Sequence, residues 1–261
     1  MSSLRFLFMG TGSSLGVPVI GCSCPTCSSS DPRDFRLRPG YLISYLGKSI
    51  WVDPSQDFRA QALKHHVNVL DGVLITHAHH DHTAGIDDLR VFNKIHRRPL
   101  PCLMSRATYE DLNVRYHYIF DQGHVAKSLV SNIAVHLMEN DSGEIDFLGI
   151  PWRYFSFFQA GMLVHGFRLG NFAFLSDIRD YSSDLFDHLI GIKTLVISAL
   201  RVESSDIHLN IQEAIDFSKR IEATNTWFTH VAHEVKYADV EEKLPEGFHL
   251  AYDGLEINSE I

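Results

Sequence analysis

Residues 77–82 place four histidines and an aspartate in one short stretch, Thr76-His77-Ala78-His79-His80-Asp81-His82. The apolar run before it, residues 72–75, predicts a buried strand, and a loop that follows a buried strand presents its side chains on a rigid support. Neutral imidazoles and carboxylates suit Zn, Mn or Fe, and packing alone gives no reason for so many histidines. We therefore predict a divalent-metal site built on this run. The alternative is a solvated polar loop.

A second group of metal-ligand type is Cys22, Cys24 and Cys27, three thiols within six residues. Thiols this close together are explained better by a metal in a reducing compartment than by disulfides. A tetrahedral site needs a fourth ligand, for which His233 is the candidate. A closed site of this kind would hold the long polar loop of residues 22–39 in one conformation. Without a metal, ordering this loop would cost much conformational entropy. Unpaired reduced thiols are the alternative, and Cys102 is expected to be a core residue.

Short runs rich in Ile, Val, Phe and Tyr predict strands, and stretches with helical apolar spacing lie among them. The predicted strands cover residues 4–9, 41–45, 49–52, 72–75, 152–157, 163–169, 172–175, 195–198 and 227–228, and the predicted helices cover residues 56–65, 87–95, 107–114 and 211–221. Hairpins are predicted at Leu46-Gly47 and Gly170-Asn171. Together these elements predict an α/β (αββα) sandwich, in which two mixed β-sheets pack face to face with helices on the outer faces, and the 261 residues fit a single domain.

The net charge of the chain limits the classes of molecule that it is expected to bind. The formal net charge of -9 at pH 7 disfavours a broad nucleic-acid surface, because phosphate binding needs clustered Lys and Arg. A small anionic substrate remains compatible, since two divalent metals would reverse the local field. The first six residues lack a charged leader followed by a long apolar stretch, and no apolar run could span a bilayer. We therefore expect a cytoplasmic protein with no membrane partner.

The run at residues 77–82 resembles the HxHxDH signature of the metallo-β-lactamase superfamily, a group of metal-dependent hydrolases. This resemblance implies that His77 and His79 serve a first metal. It implies that Asp81 and His82 serve a second metal.

Later residues match the same superfamily in the expected order. Asp177, in Phe174-Leu175-Ser176-Asp177, resembles the bridging aspartate of the superfamily, and His230 resembles its last histidine ligand. Asp53 ends a predicted strand and matches a position where relatives hold a carboxylate that orients a ligating imidazole. The alternative for Asp53 is the N-terminal cap of a helix.

The cysteine cluster and the opening sequence Gly10-Thr11-Gly12-Ser13-Ser14-Leu15-Gly16 resemble the cyclic phosphodiesterase subfamily associated with phosphonate breakdown, the PhnP-like proteins. In that subfamily three N-terminal cysteines and a late histidine hold a structural zinc. The resemblance implies the same role for Cys22, Cys24, Cys27 and His233.

The sequence departs from the superfamily pattern at two positions. Gln159 stands eighteen residues before the bridging aspartate, where relatives supply a further histidine to the first metal, and an amide oxygen is a weaker ligand. Ser205 stands at the first of two positions where many relatives carry histidines three residues apart. His208, at the second, could protonate a leaving group if its pKa lies near the working pH and it reaches the cleft; the alternative is helix capping ahead of Ile211. His165 is expected to be an ordinary half-buried histidine. We therefore expect the first metal position to be weak or empty.

The combined prediction is a metal-dependent hydrolase, a phosphodiesterase that cleaves a small phosphodiester, cyclic ones included, through a metal-bound hydroxide. The active site would hold two divalent metals, Zn, Mn or Fe, beside one structural Zn, and Asp81 and His208 are the catalytic candidates. A non-catalytic metal-binding relative that senses a ligand or partner is one alternative, motivated by Gln159 and Ser205. A nuclease that processes tRNA or another nucleic acid is a second, and hydrolysis of a β-lactam or thioester is formally open. A homodimer is expected by family analogy.

Overall fold

The computed structural model of the protein describes residues 3–120 and 130–261. Met1 and Ser2 lie outside these residues. The expectation about a leader at the start of the chain includes these two residues. The strands of the described residues form two seven-stranded sheets. The first contains, in spatial order, Glu256–Glu260 (β14), Ser3–Gly10 (β1), Gly40–Tyr45 (β2), Lys48–Val52 (β3), Gly72–Leu74 (β4), Leu100–Ser105 (β5) and Ile133–Met138 (β6).

The second sheet contains, in spatial order, Phe248–Leu250 (β13), Asn225–Thr229 (β12), Thr194–Ser198 (β11), Phe172–Leu175 (β10), Met162–Leu169 (β9), Ile150–Gln159 (β8) and Ser142–Phe147 (β7). In the first sheet the neighbours from β3 to β6 are parallel, and in the second sheet the neighbours from β10 to β13 are parallel. The other neighbours are antiparallel. Both sheets are therefore mixed, as the sequence predicted.

Eight α-helical segments lie among the described residues: Phe58–Lys64 (α1), His80–Thr83 (α2), Arg90–His96 (α3), Arg106–Arg115 (α4), His117–Phe120 (α5), Leu185–His188 (α6), Ile211–Arg220 (α7) and Tyr237–Glu241 (α8). Helix α7 begins with a reciprocal capping pair. The side chain of Asn210 accepts from the backbone N–H of Glu213, and the Glu213 carboxylate accepts from the backbone N–H of Asn210. No described helix has the length and apolar character needed to cross a bilayer.

Aromatic side chains fill the space between the two sheets. Along β1, Leu4, Phe6 and Phe8 are buried while the flanking residues Ser3 and Arg5 are exposed, which is the period of two expected for a strand with one covered face. The ring of Phe6 lies 5.3 Å from that of Phe172, between centroids. The inner faces of the two sheets thus share one core.

Two further apolar clusters lie on the outer faces of the sandwich. Phe58 of α1, Phe92 of α3 and Leu112 of α4 are buried against the first sheet. Ile215 and Phe217 of α7 are buried against the second sheet. The order of layers is helix, sheet, sheet, helix, which confirms the predicted αββα sandwich.

Candidate metal centre

The side chains of metal-ligand type follow the ends of parallel strands. Asp53 comes directly after β3, His77 comes three residues after β4, Asp177 two residues after β10, and His230 directly after β12. Because parallel strands end at the same edge of a sheet, these residues gather at one edge of each sheet. The two edges meet, since an oxygen of Asp177 lies 3.4 Å from His82 Nε2.

Three of these residues have a left-handed backbone. The φ angles of Asp53, Asp177 and His230 are 56°, 55° and 58°. This conformation costs a residue with a side chain about 1–3 kcal/mol. The strain falls on residues whose side chains all point into the cluster, so the direction of these side chains is fixed by the fold.

Four ligand-type atoms surround one small volume. Asp81 Oδ2 lies 3.6 Å from His82 Nε2 and 3.4 Å from His230 Nε2. Asp177 Oδ1 lies 3.4 Å from His82 Nε2 and 3.5 Å from His230 Nε2. Four ligands placed tetrahedrally at ordinary Zn–N and Zn–O distances are roughly 3.4 Å apart. We call this set the second metal position, and the four distances between its carboxylate oxygens and imidazole nitrogens match the spacing of ligands around one tetrahedral ion.

The polar atoms of this cluster are not satisfied by the protein alone. His82 Nε2 and His230 Nε2 are buried and have no hydrogen-bond partner within the described part of the chain. Asp53, Asp81 and Asp177 are all buried, and every ion pair recorded for them in that part is with a histidine. Buried anions without a permanent cation are unfavourable. A divalent metal would satisfy both the free nitrogens and the carboxylates.

The pKa values of the cluster reflect this crowding of carboxylates and imidazoles. Burial lowers the pKa of His82, but the carboxylates of Asp177, Asp81 and Asp53 outweigh it and place that pKa well above its usual value. Burial raises the pKa of Asp177, but the imidazoles of His230 and His82 outweigh it and place that pKa well below its usual value. The pKa of Asp81 is also lowered, so the carboxylates of Asp81 and Asp177 are ionised at neutral pH and can bind a cation.

The first metal position is less regular. His77, His79 and Asp177 offer one ligand atom each within a common radius. His77 Nε2 lies 2.9 Å from His79 Nδ1 but 3.8 Å from Asp177 Oδ2. The two oxygens of Asp177 thus face different positions, as a bridging carboxylate requires. The first position thus has three protein ligands with unequal spacing, and its weaker affinity stays a prediction.

The side chains of Gln159 and His208 lie next to the metal cluster and contact each other. Gln159 is the last residue of β8, and its Nε2 is 2.9 Å from His208 Nε2. His208 Nε2 is 4.0 Å from Asp177 Oδ2, so the ring reaches the cleft. It does not cap α7, since Asn210 does.

The burial of His208 decides its protonation in the metal-free protein. Burial lowers the pKa of His208 to about 4, and divalent metals nearby would lower it further. The ring is therefore neutral near pH 7. It offers one N–H as a neutral hydrogen-bond donor, and the role of His208 as a proton donor stays a prediction.

The carboxylate of Asp53 contacts Nδ1 of His82, the ring nitrogen that does not face the other carboxylates of the cluster. Its Oδ2 lies 2.8 Å from His82 Nδ1, while its two oxygens accept from the backbone N–H and the hydroxyl of Thr76 at 2.8 Å each. It does not cap α1, whose N-terminal cap position is Asp57. The structure therefore places Asp53 where a carboxylate orients an imidazole. Sequence analysis missed Thr76, although its place next to His77 was a signal.

Replacing Asp53 by asparagine is expected to weaken metal binding. The amide keeps one acceptor and presents N–H groups, so it cannot serve both Thr76 donors and the Nδ1–H of His82. Loss of such an orienting partner typically lowers metal affinity about 10- to 100-fold. Competition titration with a chelator measures this change. An Asp53→Asn protein with the parental affinity would contradict the role of Asp53, and Asp57→Asn serves as the control on a neighbouring carboxylate.

The cysteine cluster forms a separate site. Nδ1 of His233 lies 3.4 Å from the Sγ atoms of Cys22 and Cys24 and 3.6 Å from that of Cys27. A tetrahedral zinc with sulfur and nitrogen ligands separates them by about 3.5 Å. The pKa of Cys24 is lowered to about 6, first by the backbone N–H of Cys27 and then by His233, which favours a thiolate. The geometry thus fits a closed Cys₃His site that joins the N-terminal loop to the segment after β12.

The remaining predicted residues lie outside these clusters. Cys102 is buried in β5 and is part of the core, as expected. His165 is fully buried rather than half-buried, because β9 lies in the interior of the second sheet and the backbone N–H of His165 donates to Thr76 O at 2.9 Å. Ser205 is buried, and its hydroxyl accepts from the backbone N–H of Ile207 at 3.3 Å.

Comparison with known proteins yields one family model and several relatives. The model described as the beta-lactamase superfamily domain matches residues 48–231. A solved structure described as a new diphosphatase from the PhnP family is 30% identical, with a TM-score of 0.89, and the alignment covers 99% of this chain and 98% of that chain. Zn(2+)-bound PqqB from Methylobacterium extorquens is 17% identical with a TM-score of 0.77, over 97% and 99% of the two chains, which shows a common fold.

A curated relative from Porphyromonas gingivalis (strain ATCC BAA-308 / W83) carries the name octanoyltransferase. It is 32% identical over 256 residues, which are 97% of this chain and 51% of that protein. The chain therefore spans about half the length of the curated relative that it matches.

Proposed function

Because the chain belongs to the metallo-β-lactamase superfamily, and within it resembles a PhnP-family diphosphatase over its full length, we propose that it is a metal-dependent phosphohydrolase. Its substrate in this proposal is a small phosphodiester, cyclic ones included. The observation that carries the proposal is the second metal position, where the carboxylate oxygens of Asp81 and Asp177 lie 3.4–3.6 Å from Nε2 of His82 and of His230, and these two nitrogens have no hydrogen-bond partner among the described residues.

The residues that would hold the active-site metals divide into two sets. The second position would be held by Asp81, His82, Asp177 and His230, and the first by His77, His79 and the other oxygen of Asp177. When bound, divalent metals supply Lewis-acid polarisation of a phosphoryl oxygen and a water that ionises at neutral pH. Zn, Mn and Fe all accept such a set of nitrogen and oxygen ligands.

The protein side chains have distinct roles in this proposal. Asp177 fixes the separation of the two positions because its two oxygens face different ligand sets. Asp81, His82 and His230 would fix where the ion of the second position lies. His208, neutral and directed at the edge of the cluster, would donate a hydrogen bond to an oxygen of the substrate.

The net charge of the chain favours a small substrate over a long nucleic acid. The chain has a formal net charge of -9, and a long nucleic acid would have to approach an acidic protein. A small anion would bind mainly through the local field of the metals. The acidic balance therefore disfavours the tRNA-processing alternative.

A diphosphate is the second candidate substrate, because the 30% identical solved structure is described as a diphosphatase. Cleavage of a diphosphate and of a phosphodiester both displace an oxygen from phosphorus, so the same residues would serve either. The name octanoyltransferase is given to a relative about twice as long as this chain. Acyl transfer requires that water be excluded as the nucleophile, whereas the site described here is suited to activating water.

The test is a substrate panel on protein loaded separately with Zn, Mn and Fe. Bis(p-nitrophenyl) phosphate, a cyclic nucleotide, a nucleoside diphosphate sugar and a p-nitrophenyl thioester would be compared. We expect turnover of phosphorus substrates that exceeds turnover of the thioester and is abolished by chelation. Hydrolysis of the thioester alone would overturn the phosphohydrolase proposal, and stoichiometric metal binding without any turnover would support the non-catalytic alternative.

A further inference from the structure

A groove between α1 and α3 opens on the outer face of the first sheet. Its cavity volume is about 450 Å³, a size that is common among small-molecule sites in proteins. The buried rings of Phe58 and Phe92 line it, and their centroids are 6.2 Å apart. None of the described residues that line the groove belongs to a metal-ligand group. The groove is therefore separate from the candidate metal centre.

Three large apolar side chains that line the groove are exposed. Leu63 of α1 is 59% exposed, and Val91 and Ile95 of α3 are 47% and 54% exposed. Val91 and Ile95 are four residues apart, so they lie on the same face of the helix. Exposed apolar side chains that are scattered singly need no explanation, whereas apolar side chains grouped around one cavity indicate a binding site. An occupant with an apolar part would cover them.

The charged side chains at the groove are mostly cationic, although the whole chain has a formal net charge of -9. α1 and α3 contain two Lys or Arg residues each and no acidic residue. Arg59 and Lys94 line the groove, one from each helix, and have no ion-pair partner among the described residues. Arg90 is paired with Asp87 at 3.2 Å, and Asp88 is the one acidic residue among the described residues that line the groove. The groove therefore favours an anionic occupant over a cationic one.

Size and charge together restrict the occupant. α1 and α3 have seven residues each, so each helix is roughly 10 Å long. This length suits a short apolar chain better than a protein partner, since a stable protein interface buries roughly 800 Å² on each side. A second copy of this chain docked through the same face would bring the cations of two grooves together, which is unfavourable.

We infer that the groove binds a small amphipathic anion, an alkyl chain with one carboxylate head group. The alkyl chain lies against Leu63, Val91 and Ile95, and the carboxylate pairs with Arg59 or Lys94. This inference is independent of the proposed hydrolase activity, because the groove and the metal centre share no residue within the described part of the chain.

Isothermal titration calorimetry of the whole zinc-loaded chain tests this inference. The probes are dodecanoate below its micelle concentration, dodecyltrimethylammonium, which has the same chain with a cationic head, and butyrate, which has the same head with a shorter chain. We expect saturable binding of dodecanoate, and binding of each of the other two at least about tenfold weaker, because one lacks the charge and the other most of the apolar area. Equal binding of dodecanoate and dodecyltrimethylammonium, or no binding of dodecanoate, would overturn the inference.

Two variants and a matched control locate the site. Ile95→Asp sets a carboxylate against the alkyl chain and should weaken dodecanoate binding about tenfold or more. Lys94→Glu should weaken binding of dodecanoate and strengthen binding of dodecyltrimethylammonium. Val114→Asp introduces the same acid at a residue of α4 that is 78% exposed and is not among the described residues lining the groove, so this variant should bind dodecanoate as the parent does.

Two other results would contradict the inference in distinguishable ways. Dodecanoate binding that is equal in the parent and in Ile95→Asp, but is lost on chelation, would place the carboxylate at the metal centre. A parent that forms a dimer without binding dodecanoate, and that Ile95→Asp makes monomeric, would show that the groove is an interface between two copies. Sedimentation velocity measures the oligomeric state, and neither result depends on which substrate the metal centre cleaves.

Discussion

Replacement of Asp177 by alanine is expected to abolish phosphodiester turnover and to empty both active-site metal positions. The side chain supplies Oδ1 to the second position, 3.4 Å from His82 Nε2, and Oδ2 to the first, 3.8 Å from His77 Nε2. Removing it takes away the only anion that both positions share among the described residues. Charge stabilisation by bound metal is worth several kcal/mol, so turnover should fall about a thousandfold or more.

Metal analysis and turnover of bis(p-nitrophenyl) phosphate check this prediction together. The matched control is His80→Ala, because His80 belongs to the same histidine run but is exposed and lies in none of the metal-ligand groups. His80→Ala should keep its metal and its activity. If Asp177→Ala kept turnover within tenfold of the parent and also kept its metals, the centre described here would not be the reaction site.

Replacement of Cys24 by serine is expected to remove one zinc per chain and to destabilise the protein. The bound metal would cross-link the N-terminal loop to His233, more than two hundred residues away. A cross-link that closes so long a loop contributes about 3–5 kcal/mol. For a chain of this size the expected decrease in melting temperature is roughly 6–15 °C.

The control for the cysteine site is Cys102→Ala. Cys102 is buried in β5 and belongs to the core rather than to the cluster, so its replacement should lower stability through packing while the zinc content stays the same. Thermal unfolding with and without chelator separates the two effects. A Cys24→Ser protein with unchanged zinc and unchanged melting temperature would show that the cluster is a set of reduced thiols.

The predicted strands that match the structure are those whose apolar side chains alternate or form a compact run. Phe172–Leu175 was predicted with its observed bounds, and the run at residues 152–157 lies inside the longer β8. The strands β5, β6, β7, β13 and β14 were not predicted. β6 and β7 have a half-exposed burial pattern with few fully buried positions, and β5 contains a proline and a serine. Their pairing with neighbours, rather than their own composition, makes them strands.

Ligand chemistry was predicted from local sequence because the type of side chain decides which ion it binds. The HxHxDH run and the three clustered cysteines are informative without coordinates, since few packing requirements produce such densities. The resemblance to the metallo-β-lactamase superfamily then pointed to Asp177 and His230. The structure brings both of them to the histidine run.

The sequence by itself determined the fold class, the kinds of ligand and the two separate clusters. Only the tertiary structure decided that the two oxygens of Asp177 face different positions, that Asp53 contacts His82, and that Gln159 contacts His208. The reason is that local spacing fixes which side chains are close along the chain. Their directions depend on left-handed backbone angles at strand ends and on the packing of two sheets, which join residues far apart in the sequence.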